Sequence, residues 1–398
     1  LEHRRQRQMC IRDRYKVIKL NIKIMILLFL FDSQNIVAKD EFSNFQDYEK
    51  TKTKFSLKEI TKGINHPWGI TFINDEDLLI TEKKGKLIKI NTQTGEKVEI
   101  KHDIQNIKYK ENFFGSAQGG LLDVLYNKNF VYFSYSHINE DKKSYSTAIA
   151  RGKLLDNIIK ELEILLIAKP GLMTNKHWGA RIAIKGNHLY AGFGDRGLGM
   201  IAQDPKKHPG SMIRINVDGS IPKNNPKFKN RLNWLPEIFQ IGIRNPQGIA
   251  ISPHDDEIYF SQHGPRGGDN IGKVEFGGNF GWKNIAWGGT EYTGKKIGNN
   301  PFDSKYNKPI ISWVPSIGVG NIEFYEGKTF SEWNGDLIVC ATKENLLLRL
   351  IYKNNKIINK EIILQNEVGR IRDFEIDSEG SIYLIIDDEN SSLWKLSR

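Results

Sequence analysis

Six stretches of the chain share one pattern of apolar and polar positions. They are GITFINDEDLLITE (69–82), LLDVLYNKNFVYFSYS (121–136), RIAIKGNHLYAGFGD (181–195), GIAISPHDDEIYFSQH (248–263), NIEFYEGKTFSEWNGDLIVCA (321–341) and DFEIDSEGSIYLIID (373–387). In each, a short apolar run meets a polar turn and then a second run rich in Tyr, Ile or Val. Turn formers such as Asn74-Asp75, Gly186-Asn187 and Glu379-Gly380 separate the two runs, as β-hairpins require. Further strand-like runs come after some copies, for example GKLIKIN and LLLRLIYK. Long amphipathic helical patterns are nearly absent. One hairpin unit cannot bury both of its faces, whereas a closed ring of units can. The pattern therefore predicts an all-β fold, a six-bladed β-propeller of four-stranded blades. KFSLKEIT (54–61) precedes the first copy and is placed as the outer strand of the last blade, closing the ring. The wide gaps between copies three, four and five predict long loops on one face, where a site would be built.

Composition changes this picture mainly at the N-terminus. The chain has 398 residues and a net charge of +11, of which residues 1–38 carry five with eight Lys/Arg against three Asp/Glu. No basic run with interleaved aromatics occurs after residue 40, so nucleic acid is not expected as a partner. Residues 1–14, LEHRRQRQMCIRDR, match nothing downstream and read as a segment foreign to the fold. Residues 15–38 read as a signal peptide: Lys16, Lys19 and Lys23 lead into an apolar run ending at Phe31, and Ala38 suits cleavage. That run is short for a membrane span, so a periplasmic protein is expected, with a retained anchor as the alternative. Residues 39–53 are expected to be a short linker and 54–398 the propeller. The mature chain keeps one cysteine, Cys340, so its stability must come from its core, with or without a metal. A monomer is expected.

The candidate chemistry sits at strand ends. GFGDRG (192–197) has the spacing of a dinucleotide fingerprint, but Pro205 and Pro209 interrupt the segment after it and no βαβ unit is available. His177, in KHWGARIAI, stands just before a strand. It suits a proton acceptor near neutral pH, and equally a simple loop residue. Arg244 and Asn245, in IGIRNPQGIAI, stand at the entry to the fourth copy. The guanidinium suits a carboxylate or a developing oxyanion, or a structural turn. Arg370 and Arg372 alternate in GRIRDFEI and so share one strand face, and Lys343 adds a cation at another strand end. Together they suit a polyanionic small ligand. HGPRGGDN (263–270) suits a calcium site or a tight inter-strand connection. Its glycines let carbonyls approach a cation, Pro265 fixes the path, and Asp269 and Asn270 add oxygens.

Taken in order, these motifs resemble the glucose/sorbosone dehydrogenase family, most closely its soluble periplasmic aldose sugar dehydrogenases that use pyrroloquinoline quinone (PQQ). The resemblance runs from HPWGITF (66–72) to RIRDFEIDSEGSIYLIID (370–387). It includes GSAQGGLLDV, HWGARI, GFGDRG, EIFQIGIRNPQGIA, HGPRGGDN and WVPSIG. It implies a six-bladed propeller that oxidises aldoses to lactones and passes electrons to an external acceptor, a quinone or a redox protein. His177 falls on the family's general base. Gln118, Arg244, Asn245, Ser316, Lys343, Arg370 and Arg372 fall on positions that hold PQQ. Gly264 and Pro265 fall on backbone ligands of the calcium that sits on the cofactor. The implied reaction is hydride transfer from the anomeric carbon to the quinone, with Arg244 stabilising the growing negative charge. The chain departs from the family's pattern at Asp269-Asn270, commonly Asp-Glu, and at NFGW (279–282), commonly NYGW. Both put a second, structural calcium in doubt. Lys176 replaces an acidic residue of the glucose-oxidising branch, which puts glucose preference in doubt and lowers the pKa of the base. The alternatives are a calcium-dependent lactonase and a non-catalytic binding propeller.

Overall fold

The structure, a computed structural model, describes residues 42–109, 118–226 and 234–398. The expected foreign segment and signal peptide lie outside these residues. Six antiparallel sheets succeed one another along the chain. Blade one comprises Pro67–Phe72, Asp77–Glu82, Leu87–Asn91 and Lys97–Ile100. Blade two comprises Leu121–Asn127, Phe130–Ile138, Tyr145–Leu155 and Ile158–Ile167. Blade three comprises Gly179–Lys185, His188–Phe193, Ser211–Asn216 and Ile238–Ile241. Blade four comprises Pro246–Ile251, Ile258–Gln262, Asp269–Lys273 and Ile311–Trp313. Blade five comprises Val319–Phe324, Leu337–Ala341, Leu346–Lys353 and Lys356–Gln365. Blade six comprises Ile371–Ile376, Ile382–Ile386 and Ser391–Ser397. Its fourth, outer strand is Ser56–Ile64 from the N-terminal side, paired antiparallel with Ser391–Ser397 as the sequence predicts. The first strands of consecutive blades touch in order, and that of blade six touches that of blade one. The ring is closed.

Each of the six sequence copies supplies the two inner strands of one blade. Blade five shows why LLLRLIYK is apolar almost throughout. Leu346, Leu348 and Leu350 pack toward blade four with Tyr259 and Trp313, while Leu347 packs toward blade six with Phe374 and Leu384. A blade inside a ring has two buried faces, so both sets of alternate positions are apolar. Cys340 is fully buried in the second of these clusters and serves as a small core residue.

The stretch 44–53, for which the sequence offers only a linker, lies along the outside of blades four and five. Glu49–Lys50 pairs in parallel with Glu361–Ile362 as a fifth strand. The Trp313 indole donates to the Tyr48 hydroxyl at 2.8 Å, and that of Trp333 to Thr53 Oγ1 at 3.1 Å. Covering an outer edge in this way removes an exposed row of backbone donors and acceptors.

Around the ring axis, ion pairs join blades that are distant in sequence. Arg181 of blade three bonds to Asp123 of blade two (2.9 Å) and to Asp373 of blade six, and its Nε donates to the Gln247 carbonyl of blade four (2.9 Å). Asp123 also accepts the Ile182 amide at 2.8 Å. Glu323 and Glu375 line the same channel beyond this network. Burial, and then the neighbouring acids, push both of these carboxyls upward.

Candidate functional site

In each hairpin the first strand starts where the second ends. Residues before first strands and after second strands therefore gather at one mouth of the ring. Gln118, His177, Arg244, Asn245, Ser316 and Arg370 precede the first strands of blades two to six. Lys83, Asp195, His263, Lys343 and Asp387 come just after second strands. A cleft opens among them. Its walls carry Gln118, Asn245, His263, Arg370 and Arg372, with Lys83 and Asp387, and the indoles of Trp68 and Trp178.

His177 lies at the edge of this cleft, where its backbone N–H donates to Gln118 Oε1 at 2.7 Å. Its φ is +47°, in the left-handed region that a non-glycine residue occupies at a cost of order 1–3 kcal/mol. The chain tolerates this because Gly194 passes directly beneath it: a Cβ there would lie 1.9 Å from the His177 carbonyl oxygen. Nδ1 is 2.6 Å from Asp195 Oδ1. Asp195 is buried, and its carboxylate also accepts from the Trp282 indole (2.6 Å) and the Gly197 amide (2.8 Å). Burial alone would raise its pKa, but these donors, His177 and Arg244 hold it below the usual carboxylate range. An ionised Asp195 makes His177 Nδ1 the donor, which leaves Nε2 as the basic atom of the imidazole. Burial lowers the His177 pKa, the charges of Arg244 and Lys176 lower it further, and Asp195 opposes them. The like-charge effect expected of Lys176 is present, but it is smaller than that of burial.

Arg244 is buried beside this pair. Its Nη1 donates to the His263 carbonyl (3.0 Å) and its guanidinium lies over the Trp282 ring, while Nε has no partner among the described residues. Asn245 lines the cleft, with Oδ1 taken by the Gly179 amide at 3.1 Å. His263 Nε2, Trp178 Nε1 and Arg372 Nε are likewise buried without a described partner. Burial pushes His263 down to about 4, so its ring is neutral at pH 7.

The expected cation cluster forms in part. Arg370 and Arg372 both reach Asp387, Arg370 Nε at 3.2 Å. Lys343 stands apart from the cleft walls. Its Nζ donates to the Ser316 carbonyl at 3.1 Å and pairs with Glu344, and its side chain is more than half exposed. Ser316 Oγ is buried and unpartnered nearby. The third ammonium or guanidinium group in the cleft is instead Lys83, 2.8 Å from Asp387.

The glycine-rich loop folds back on itself. Gly267 and Gly268 have φ near +85°, and a Cβ on Gly264 would lie 2.3 Å from the Gly267 carbonyl. Asp269 and Asn270 are buried, and their side chains are engaged by the loop, by Gln262 and by the start of blade five. The Asp269 carboxylate accepts the amides of Gly264 (2.8 Å), Gly318 (2.6 Å) and Val319 (3.0 Å). Asn270 donates to the Gly268 carbonyl at 2.9 Å and accepts from Gln262 at 3.2 Å. Among the described residues, no hydrogen bond reaches the carbonyl oxygens of Gly264 and Pro265. These oxygens fit a hard cation better than the two side chains do.

Sequence reasoning misses Asp195, Lys83, Asp387 and His263. The first was within reach: a His before the first strand and an Asp after the second strand of one hairpin must lie side by side. The others need the three-dimensional convergence of blades one, four and six.

Residues 64–395 match the model of a family described as Glucose / Sorbosone dehydrogenase. The aldose sugar dehydrogenase YliI of Escherichia coli (strain K12) is 30% identical over 345 residues, covering 84% of this chain and 90% of that protein. Quinoprotein glucose dehydrogenase B of Acinetobacter calcoaceticus is 26% identical over 378 residues, covering 84% and 75%. The crystal structure of the soluble aldose sugar dehydrogenase from Escherichia coli in the apo-form superposes with a TM-score of 0.80 at 28% identity, covering 86% of this chain and 99% of that one. With the motifs in order, the six blades closed and the match nearly end to end, the chain belongs to the glucose/sorbosone dehydrogenase family.

Proposed function

We propose that the protein is an oxidoreductase that converts aldoses to lactones with PQQ and calcium and passes the electrons to an external acceptor. The observation that carries this reading is the His177–Asp195 pair beside a cleft whose buried cations outnumber its anions. The relatives named as aldose sugar and quinoprotein glucose dehydrogenases support it. Arg370, Arg372, Gln118 and Asn245 would hold the polycarboxylate cofactor, and the unpartnered Nε atoms of Arg244 and Arg372 are donors that such a ligand would satisfy. The carbonyls of Gly264 and Pro265 would face the calcium. When bound, PQQ supplies a hydride acceptor and calcium a Lewis acid.

His177 Nε2 takes the proton from the anomeric hydroxyl. Asp195 keeps the ring in the tautomer this requires and stabilises the imidazolium that forms. The buried Arg244 places a fixed positive charge where negative charge develops, at no reorganisation cost. Burial first, and then its charge, lower the pKa of His177. We further place the protein in the periplasm as a monomer. Among the described residues no helix is long and apolar enough to cross a membrane.

The test is dye-coupled oxidation of an aldose panel by the chain from Lys39 onward. PQQ and calcium are each omitted in turn, with His177→Ala as control. Activity that needs both additions and is lost in the variant establishes the reading. A wild-type protein whose fluorescence and activity ignore PQQ sinks it.

A further inference from the structure

Lys83 comes directly after the second strand of blade one, and Asp387 directly after the second strand of blade six. The two meet across the seam at which the ring closes. Lys83 Nζ is 2.8 Å from Asp387 Oδ1, and the side chains of both are only 10% exposed. Arg370 and Arg372 pair with the other oxygen of the same carboxylate, and His66 Nδ1 lies 3.7 Å from the first. One buried anion thus serves three cations, and all four groups line the cleft.

The charges do not balance. A guanidinium cannot shed its proton in a protein, so the surplus charge of Arg370 and Arg372 persists. A buried ammonium beside two guanidiniums is costly unless an anion shares it. Burial, followed by repulsion from Arg372 and Arg370, lowers the pKa of Lys83, and Asp387 opposes them. Burial would raise the pKa of Asp387, but Arg372, then His66 and Lys83, pull it far below the carboxylate range. The neighbourhood of this carboxylate therefore has capacity for a further anion. Lys343, the cation expected here, is outside the cleft and already paired.

We propose that Lys83 is a cofactor-binding residue: its ammonium, held by Asp387, takes one carboxylate of the bound cofactor and so ties blade one to blade six through the ligand. This rests on the PQQ reading above. An ammonium with three donors can keep Asp387 and accept a second oxygen without moving its stem. The bland alternative is a seam salt bridge that stabilises the ring and touches no ligand.

Direct PQQ titration separates the two, read by quenching of tryptophan fluorescence, since Trp68 and Trp178 line the cleft. Calcium is kept constant and no sugar is added. Lys83→Met keeps most of the stem and removes the charge. It is expected to weaken PQQ binding at least about tenfold, with Lys83→Arg restoring most of the loss. Thermal melting with and without PQQ is recorded alongside, and the shift produced by PQQ is expected to shrink in Lys83→Met. Unchanged affinity in a folded Lys83→Met, even with a lowered melting temperature, overturns the proposal. Asp387→Asn frees Arg370 and Arg372 as well as Lys83, so it is read together with Lys83→Met. Adding Lys83→Met to Asp387→Asn should weaken PQQ binding about tenfold, and a double variant that binds PQQ as tightly as Asp387→Asn alone overturns the proposal. If wild-type protein does not bind PQQ at all, it is the cofactor reading that fails.

Discussion

The two ends of the propeller's axis carry opposite charge imbalances, and they resolve them differently. At the mouth one carboxylate, Asp387, serves Lys83, Arg370 and Arg372. Down the channel one guanidinium, Arg181, serves Asp123 and Asp373, with Glu323 and Glu375 beyond. Surplus carboxylates can neutralise themselves by binding protons near neutral pH. Surplus guanidiniums cannot, because they stay charged at any pH a protein meets. The channel is therefore electrostatically complete without a ligand, and the mouth is not. Charge of one sign in a propeller axis is no signature of a site; charge that no proton can remove is.

The comparison breaks most visibly at the mouth. His177→Ala should lower kcat/KM for the preferred aldose by about 10²–10⁴-fold, the usual worth of a general base, while PQQ titration still gives a normal affinity. Loss of cofactor binding in that variant would assign His177 to holding the ligand rather than to proton transfer. Next in size is a matched pair of arginine removals. Arg181→Ala leaves Asp123 and Asp373 buried without their cation and should cost about 3–5 kcal/mol in urea unfolding. Arg372→Ala relieves repulsion at the mouth and leaves Asp387 its pairs with Lys83 and Arg370, so it should destabilise less than Arg181→Ala while impairing PQQ binding. Equal destabilisation by the two would erase the contrast between mouth and channel.

Smaller effects sharpen it. Glu323 is pushed up to about 8 by burial and by Asp373 beside it, so between the ordinary glutamate range and pH 8 the folded state holds a proton that the unfolded state has lost. Stability then falls as pH rises through this window, by at most about 1.4 kcal/mol per pH unit. Glu323→Gln should flatten that slope in unfolding curves taken from pH 5 to 8. The smallest effect concerns the base. Because His177 is held below its ordinary 6.5, the acidic limb of kcat/KM should fall below that pH. Lys176→Glu should move the limb upward, by removing a repulsive charge and adding an attractive one. A limb that stays put would show that Lys176 is too well solvated to matter.

The blades were legible because their information is local. Apolar alternation and turn residues lie within fifteen or twenty positions of one another, and each copy supplies one inner hairpin. The strand at 54–61 was legible because a ring has one edge left to close. The cleft was legible only where residues stand just before a first strand inside a recognisable motif, as Gln118, Asn245 and Arg370 do. A place at a strand end says nothing about what pairs with Lys343, and in the structure Glu344 engages it. Nor does a carboxylate in a glycine-rich loop announce whether it takes backbone amides or metal, and Asp269 takes amides in the structure. Lys83 and Asp387 are 304 residues apart, and no spacing rule reaches across that distance.

The closing strand has a consequence in time. Ser56–Ile64 is among the earliest parts of the sheet to be synthesised, and its partner Ser391–Ser397 is the last. Glu59 and Ser392, which bond across this pair, are separated by 333 positions. Blades one to five each contain a contiguous run of strands and can pair as they emerge. Blade six cannot form until residues 391–397 have been synthesised. The cleft straddles the same junction, so a chain stopped before residue 371 can hold most of the propeller yet lacks Arg372 and Asp387 of the cleft wall. Ligand binding therefore reports closure of the ring.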